Sequence, residues 1–234
     1  MSDLRIGLVA EGKTDLIIIE AALRAIMTEP FVLTLLQPEA TQPRMGEGWN
    51  GVLKWCYATS QRFDGVLDDD PTLAGFDLLI LHLDVDVAAM RYSDGGALVT
   101  QLAQTHDWGA LPCVRSCPPV IDSCNELLSV LRSWLGGVSI GERTVVCLPA
   151  QSSGTWLAAS YLPSGHRLLA GVECNDAVEE QLKYLTLTLK IKKKSQREYR
   201  KKAGEISNNW RRVTELCRQA QAFEDAVRAV LSRR

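Results

Sequence analysis

Short, uninterrupted apolar runs, each followed at once by acidic or polar residues, are the feature of this sequence that most restricts its fold. The run at residues 77–87 contains Leu-Leu-Ile-Leu-His-Leu before two aspartates, and the run at residues 4–10 ends at Glu-Gly. Strands buried on both faces read this way, whereas strands with one solvated face alternate. Helical patterns separate the runs. We therefore predict an α/β fold, Rossmann-type, with a mainly parallel sheet flanked by helices.

Turn and capping signals place the predicted elements along the chain. We predict strands at residues 4–10, 31–36, 77–87 and 143–148, and a loop at residues 37–48. We predict helices from a Thr14 cap to about Met27, at residues 49–63, 96–106 and 121–135, and from residue 156. From about residue 176 the chain is predicted to be mostly helical.

The charge is distributed unevenly, although the formal net charge is only −2. Residues 183–234 hold 15 Lys/Arg and 5 Asp/Glu, whereas the rest of the chain holds 11 and 23. An acidic body suits cations and a basic segment suits phosphates. We therefore predict an α/β domain at residues 1–165 and a basic helical extension at residues 166–234.

Hydropathy and cysteine usage indicate the compartment. No apolar run approaches the roughly 20 residues of a membrane span, and the first residues lead into a strand without a signal-peptide pattern. We expect a cytoplasmic protein with no membrane partner. The seven scattered cysteines are typical of packed thiols rather than of a disulfide framework. Cys113, Cys117 and Cys124 leave a zinc site open as an alternative, although no second pair follows at zinc-finger spacing.

Three acidic residues follow predicted strands. Glu11 follows the first strand, and Asp84 and Asp86 end the strand at residues 77–87. Ligands of parallel α/β sheets bind beyond the carboxyl ends of the strands, and strand alternation puts Asp84 and Asp86 on one side. Such carboxylates suit Mg²⁺ or Mn²⁺, which can clamp a phosphate and assist phosphoryl transfer.

These motifs resemble those of Toprim domains. Residues 9–15, Val-Ala-Glu-Gly-Lys-Thr-Asp, resemble the first Toprim motif, and residues 82–86, His-Leu-Asp-Val-Asp, resemble the second. Toprim domains occur in topoisomerases, in primases and in nucleases of the overcoming-lysogenization-defect type. The resemblance covers residues 4–160 and extends to small stand-alone bacterial proteins, several linked to phage defence. It implies that Asp84 and Asp86 bind Mg²⁺ and that Glu11 acts as acid/base or as a further ligand.

One position departs from those relatives. In them a strand is followed by Pro, a few polar residues, then Glu and a Trp-Leu helix start. Here the stretch at residues 148–157 reads Leu-Pro-Ala-Gln-Ser-Ser-Gly-Thr-Trp-Leu, so that Gly154 stands where the resemblance implies a glutamate. The departure removes an implied metal ligand. Asp15 and Glu126 are the substitute carboxylates we consider.

The sequence also contains a literal match to the P-loop pattern. Residues 7–14, Gly-Leu-Val-Ala-Glu-Gly-Lys-Thr, fit G-x4-G-K-[ST]. A P-loop needs its backbone N–H groups free to cradle phosphate, whereas Leu-Val-Ala reads as strand. We therefore keep a P-loop NTPase as a lower-ranked alternative.

The basic segment predicts a nucleic-acid surface. On a helix, Lys190, Lys194, Arg197 and Lys201 would share one face, with Lys192 and Lys193 beside them, and Lys13 could steady a phosphate. Such residues neutralise phosphates and give salt-dependent binding; a solvated helix face is the alternative. Tyr199 and Trp210 either stack on bases or pack into the body, and His82 is either a core residue or a ligand.

Two main functional hypotheses follow. The first is a Mg²⁺- or Mn²⁺-dependent nuclease acting on DNA or RNA. The second, favoured by Gly154, is a catalytically degenerate Toprim-like binding or adaptor module that works with an ATPase partner in a defence complex.

Overall fold

The fold is α/β with a four-stranded, all-parallel sheet, as predicted. The computed structural model describes residues 3–39 and 45–233, so the predicted loop at residues 37–48 lies partly outside the described residues. The sheet has the order β2-β1-β3-β4 and consists of β1 (Leu4–Val9), β2 (Phe31–Gln37), β3 (Leu78–His82) and β4 (Thr144–Cys147). β1 pairs with β2 on one side and with β3 on the other.

Helices cover both faces of this sheet. They are α1 (Lys13–Ile26), α2 (Trp49–Arg62), α3 (Ala97–Thr105), α4 (Ile121–Trp134), α5 (Gly154–Tyr161), α6 (Val178–Leu182), α7 (Gln196–Asn208), α8 (Trp210–Leu216) and α9 (Arg218–Leu231). Short 3-10 turns lie at Leu67–Asp69, Val85–Ala89, Tyr92–Gly95, Arg167–Leu169 and Val172–Cys174. Within the described ranges, no helix combines the length and apolarity needed to cross a bilayer.

The alternation of each strand divides the buried side chains between two cores. Ile6, Leu8 and Ile80 face the core shared with α1, α5, α7, α8 and α9. Leu79 and Leu81 face the core shared with α2, α3 and α4. Because successive side chains of a strand point to opposite faces, an unbroken apolar run fills both cores at once.

The C-terminal helices are built into the first of these cores. Tyr199, Trp210, Phe223 and Val227 are buried in the same cluster as the β1 side chains. Trp156 of α5 makes an edge contact with Trp210, with ring centroids 5.5 Å apart. Residues from both sides of the boundary predicted near residue 165 therefore share one core.

Three predicted elements need correction. β3 ends at His82 rather than at residue 87, because residues 85–89 turn into a 3-10 helix. Thr14 does not cap α1. The N-cap residue is Gly12, and no side-chain hydrogen bond caps this end of the helix. The helix predicted through Lys190 begins only at Gln196, because the chain before it is irregular and includes a left-handed residue at position 194.

The cysteine prediction is also wrong in one respect. Cys117 and Cys174 form a disulfide, with Cα atoms 5.5 Å apart. No local pattern indicates this pairing, because the partners are 57 residues apart and meet only in the folded chain. Cys113 and Cys124 are free thiols, and the described residues form no cysteine-containing group with metal-ligand spacing.

Candidate metal centre

The acidic residues lie beyond the two central strands, β1 and β3, whose connections to the next strand run to opposite sides of the sheet. β1 leads to β2 on one side, while β3 leads to β4 on the other. Loops after β1 and β3 therefore separate and leave a crevice at the carboxyl ends of the strands, where open parallel sheets bind ligands. Glu11 follows β1, and Asp84 and Asp86 follow β3.

The three predicted carboxylates come together in this crevice. Each of Glu11, Asp84 and Asp86 offers a carboxylate oxygen, and these oxygens lie within 4.8 Å of one another. Glu11 is 7% exposed, and its Oε1 accepts a hydrogen bond from the backbone N–H of Asp84 at 2.8 Å. The arrangement does not depend on strand alternation, because Asp84 and Asp86 lie beyond the end of β3.

A second group shares Asp84. Ligand atoms of Asp15, His82 and Asp84 also lie within 4.8 Å of one another. His82 is fully buried, and its Nε2 lies 3.2 Å from Asp84 Oδ1. Neither ring nitrogen has a hydrogen-bond partner within the described part of the chain. Buried polar groups are nearly always paired, so the unpaired nitrogens suit His82 to binding a cation in the crevice. Neutral imidazole is a common metal ligand.

The loop after β4 holds these groups in place. The backbone N–H of Ser153 donates to Asp84 Oδ1 at 2.8 Å, and its hydroxyl donates to Asp15 Oδ1 at 2.7 Å. The backbone N–H of Asp86 donates to the carbonyl of Gln151 at 3.0 Å. One serine thus orients the carboxylate of Asp84, which the two groups share, and that of Asp15.

The electrostatics of the crevice favour a cation. Burial raises the pKa of Glu11 well above its usual value, and the charges of Asp84 and Asp15 raise it further. Burial likewise raises the pKa of Asp84, with Asp15 and Asp86 adding to the effect. Several buried carboxylates at this separation cannot all ionise without a counter-charge. A divalent cation would supply that counter-charge, and the oxygen-rich donor set fits Mg²⁺ or Mn²⁺.

Two lysines of the C-terminal segment face the same crevice. Burial raises the pKa of Asp86, while the nearby charges of Lys193 and Lys194 lower it, with a net rise. Burial lowers the pKa of Lys194, but Glu11, Asp15 and Asp84 raise it, and the net shift is upward. Lys194 adopts a left-handed backbone conformation, with φ of 57°. The lysine pair therefore lies beside the carboxylates rather than on a distant surface.

The other predicted phosphate-binding residues are arranged differently from the prediction. Arg197 and Lys201 are exposed on α7, whereas Lys190 and Lys192 precede that helix, so no single helix face carries the whole set. Lys13 is exposed at the start of α1.

The two aromatic residues that could have stacked on bases are buried. Tyr199 is 1% exposed and Trp210 is 5% exposed. The Tyr199 hydroxyl donates to Glu179, and Trp210 Nε1 donates to Glu224 Oε2 at 2.7 Å. The packing alternative is therefore the correct one for both residues.

The P-loop alternative conflicts with the strand geometry. Residues 7–9 of its pattern lie inside β1 and pair with both β2 and β3. The next backbone N–H, that of Ala10, donates to the carbonyl of Gln37 at 2.9 Å. These residues belong to the sheet rather than to a free loop around a phosphate.

Three residues at or beside the site were not placed there from sequence. His82 was left open between a core residue and a ligand. Ser153 carried a weak signal, because it precedes a helix beside the expected carboxylate position. No sequence signal indicated Glu179 of α6. It lies in the extension predicted at residues 166–234, and it accepts hydrogen bonds from Tyr199 and from Ser152 in the loop after β4.

Comparisons with known proteins found no relative of this chain. No protein-family model, curated protein or solved structure matches the chain.

Proposed function

We propose that this chain is a Toprim-like nuclease that requires Mg²⁺ or Mn²⁺ and cleaves phosphodiester bonds of DNA or RNA. The observation that carries the proposal is the sharing of Asp84 by two adjacent groups of ligand atoms at the crevice of a parallel sheet. Two adjacent cations, if held by these groups, would supply stabilisation of both the attacking and the leaving oxygen of phosphoryl transfer.

The residues divide into those that hold a cation and those that orient them. Glu11, Asp84 and Asp86 would hold one cation, and Asp15, His82 and Asp84 would hold another. When bound, the cation supplies Lewis-acid polarisation of a phosphate oxygen. Ser153 fixes the carboxylates of Asp84 and Asp15 through its N–H and hydroxyl donors.

The substrate would reach the crevice along the basic C-terminal segment. Lys193 and Lys194 are exposed at its edge, where ammonium groups can neutralise a phosphate diester. Arg197 and Lys201 continue the positive surface on α7, one turn apart. All four would contact the sugar-phosphate backbone, so binding would be insensitive to base sequence.

A second candidate function rests on Gly154. Position 154 contributes no side chain to the crevice, and lysines already neutralise part of the acidic charge. A non-catalytic nucleic-acid-binding or adaptor module that works with an ATPase partner has these features too. Phage defence is the setting that the resemblance to stand-alone bacterial Toprim-like proteins suggests for either function.

A cleavage assay separates the two candidates. Metal-stripped protein is incubated with single- and double-stranded DNA and RNA, with and without Mg²⁺ or Mn²⁺. We expect metal-dependent cleavage, and a fall of at least about 100-fold in the Asp84→Ala/Asp86→Ala variant, the scale seen when groups that stabilise transition-state charge are removed. The matched control, Asp107→Ala/Asp225→Ala, removes two exposed carboxylates and should leave cleavage unchanged. Absence of cleavage by the wild-type protein, with binding retained, would favour the adaptor.

Salt dependence tests the basic surface. Arg197→Gln/Lys201→Gln should weaken oligonucleotide binding and reduce the slope of log affinity against log salt concentration by up to about 2. Arg132→Gln removes an exposed charge from α4, on the opposite face of the sheet, and should leave the slope unchanged. An unaltered slope in the double variant would place the nucleic-acid surface elsewhere.

A further inference from the structure

The space beside Gly154 is filled by a glutamate from a distant part of the chain. Gly154 is the first residue of α5. A Cβ atom built on Gly154 would lie 2.8 Å from Cγ and 2.9 Å from Cδ of Glu179, closer than real Cβ contacts allow. The side chain of Glu179 therefore runs where a side chain at position 154 would begin.

Glu179 is linked to the loop that orients the candidate ligands. It is 8% exposed, and its Oε2 accepts a hydrogen bond from the hydroxyl of Ser152 at 3.3 Å. The next residue in that loop, Ser153, holds Asp84 and Asp15. The Tyr199 hydroxyl also donates to Glu179. The Glu179 carboxylate is thus connected to the candidate centre through the loop that positions Asp84.

The charge of Glu179 acts on the same groups. Burial is the main cause of the raised pKa values of Asp84 and Asp86, and the charge of Glu179 adds to the rise in both. Lys193 Nζ lies 3.6 Å from Glu179 Oε2, so this carboxylate also holds one of the two lysines at the crevice.

The buried imidazole of His82 points independently to a ligand at this centre. Its two ring nitrogens have no hydrogen-bond partner among the described residues, and its Nε2 faces Asp84 Oδ1 at 3.2 Å. A cation between these groups would pair the histidine and offset the carboxylate charges together.

We propose that Glu179 is a positioning residue of the candidate metal centre. From α6, its carboxylate holds the loop in which Ser153 orients Asp84 and Asp15, and it holds Lys193 at the edge of the crevice. The inference rests on the proposed function, because it assigns a supporting residue to the same cation site. The C-terminal extension is then part of the site, through Glu179 of α6 and through Lys193 and Lys194 of the segment after it.

The test is a Mn²⁺ titration of the full, metal-stripped chain by isothermal calorimetry. Glu179→Gln keeps the size of the side chain. Its carbonyl oxygen can still accept from the Tyr199 hydroxyl, and its amide group can donate to the Ser152 hydroxyl, so the fold and the melting temperature should change little. We expect the Kd for Mn²⁺ to rise about 10- to 100-fold, as when groups that support a metal site are removed. Glu180→Gln, which removes the same charge one residue further along α6, should leave the Kd unchanged.

The outcomes separate this inference from the proposed function. If wild-type protein binds Mn²⁺ and Glu179→Gln binds it equally well, the role of Glu179 is overturned and the metal centre stands. If wild-type protein binds no Mn²⁺, both are overturned.

Discussion

Replacing Asp84 with asparagine should stabilise the metal-free protein and remove most of its stabilisation by Mn²⁺. Asp84 belongs to both groups of ligand atoms and is 7% exposed. Asparagine has nearly the same shape, and its carbonyl oxygen can still accept the hydrogen bond from the Ser153 N–H. The substitution therefore removes a charge with little change in packing.

The magnitude follows from the separation of the carboxylates. At 4.8 Å or less, each pair of ionised carboxylates repels by about 3.5 kcal/mol or more at an effective dielectric constant near 20. Protonation relieves part of this repulsion, because burial and the neighbouring acids Asp15 and Asp86 raise the pKa of Asp84. We therefore expect a gain of about 1–3 kcal/mol in the free energy of unfolding without metal.

Mn²⁺ should stabilise the wild-type protein by more than it stabilises the variant. At 100 times its Kd, a ligand that binds only the folded protein adds about 2.7 kcal/mol to the free energy of unfolding. If the variant binds 10- to 100-fold more weakly, the same Mn²⁺ concentration adds only about 0.4–1.4 kcal/mol.

Urea denaturation followed by circular dichroism, in chelator and in Mn²⁺, measures both effects. Asp107→Asn is the matched control, because it removes one charge from an exposed residue and should alter neither value by more than about 0.5 kcal/mol. Equal stabilisation of wild-type and Asp84→Asn protein by Mn²⁺ would refute the assignment of Asp84 as the shared ligand. A variant that is less stable than wild type in chelator would refute the repulsion on which the magnitude rests.

Two further predictions concern stability away from the crevice. The Cys117–Cys174 disulfide spans 57 residues, so its loss in Cys117→Ser/Cys174→Ser should lower the free energy of unfolding by up to about 4 kcal/mol; identical urea midpoints with and without the bridge would contradict this. Burial raises the pKa of Asp70, but the hydrogen bond from Arg62 at 2.7 Å helps to lower it, and the net shift is downward. Since the folded pKa lies below the unfolded one, this stabilisation is present at neutral pH and is lost as the pH falls through the folded pKa. Asp70→Asn should therefore cost about 1–3 kcal/mol at pH 7 in urea denaturation and less once the pH has fallen through the folded pKa, and a cost independent of pH would count against the ion pair.

Most secondary-structure elements of the α/β body could be predicted from the sequence. The strands at residues 4–10 and 143–148 and the helices at residues 49–63 and 121–135 agree with β1, β4, α2 and α4 within a few residues, because apolar periodicity depends on local spacing. The segment before α7 was predicted wrongly, because helical spacing of lysines says nothing about a left-handed residue at position 194.

The sequence by itself determined the parallel α/β fold and the meeting of Glu11, Asp84 and Asp86. Continuous apolar runs require burial on both faces, and parallel strands bring their carboxyl ends to one edge of the sheet. Only the tertiary structure decided that His82 and Asp15 share Asp84 with that group, that Ser153 orients them, and that Glu179 fills the space beside Gly154. Those contacts join residues far apart in the chain, and their distances are set by how the helices pack on the sheet rather than by any local pattern.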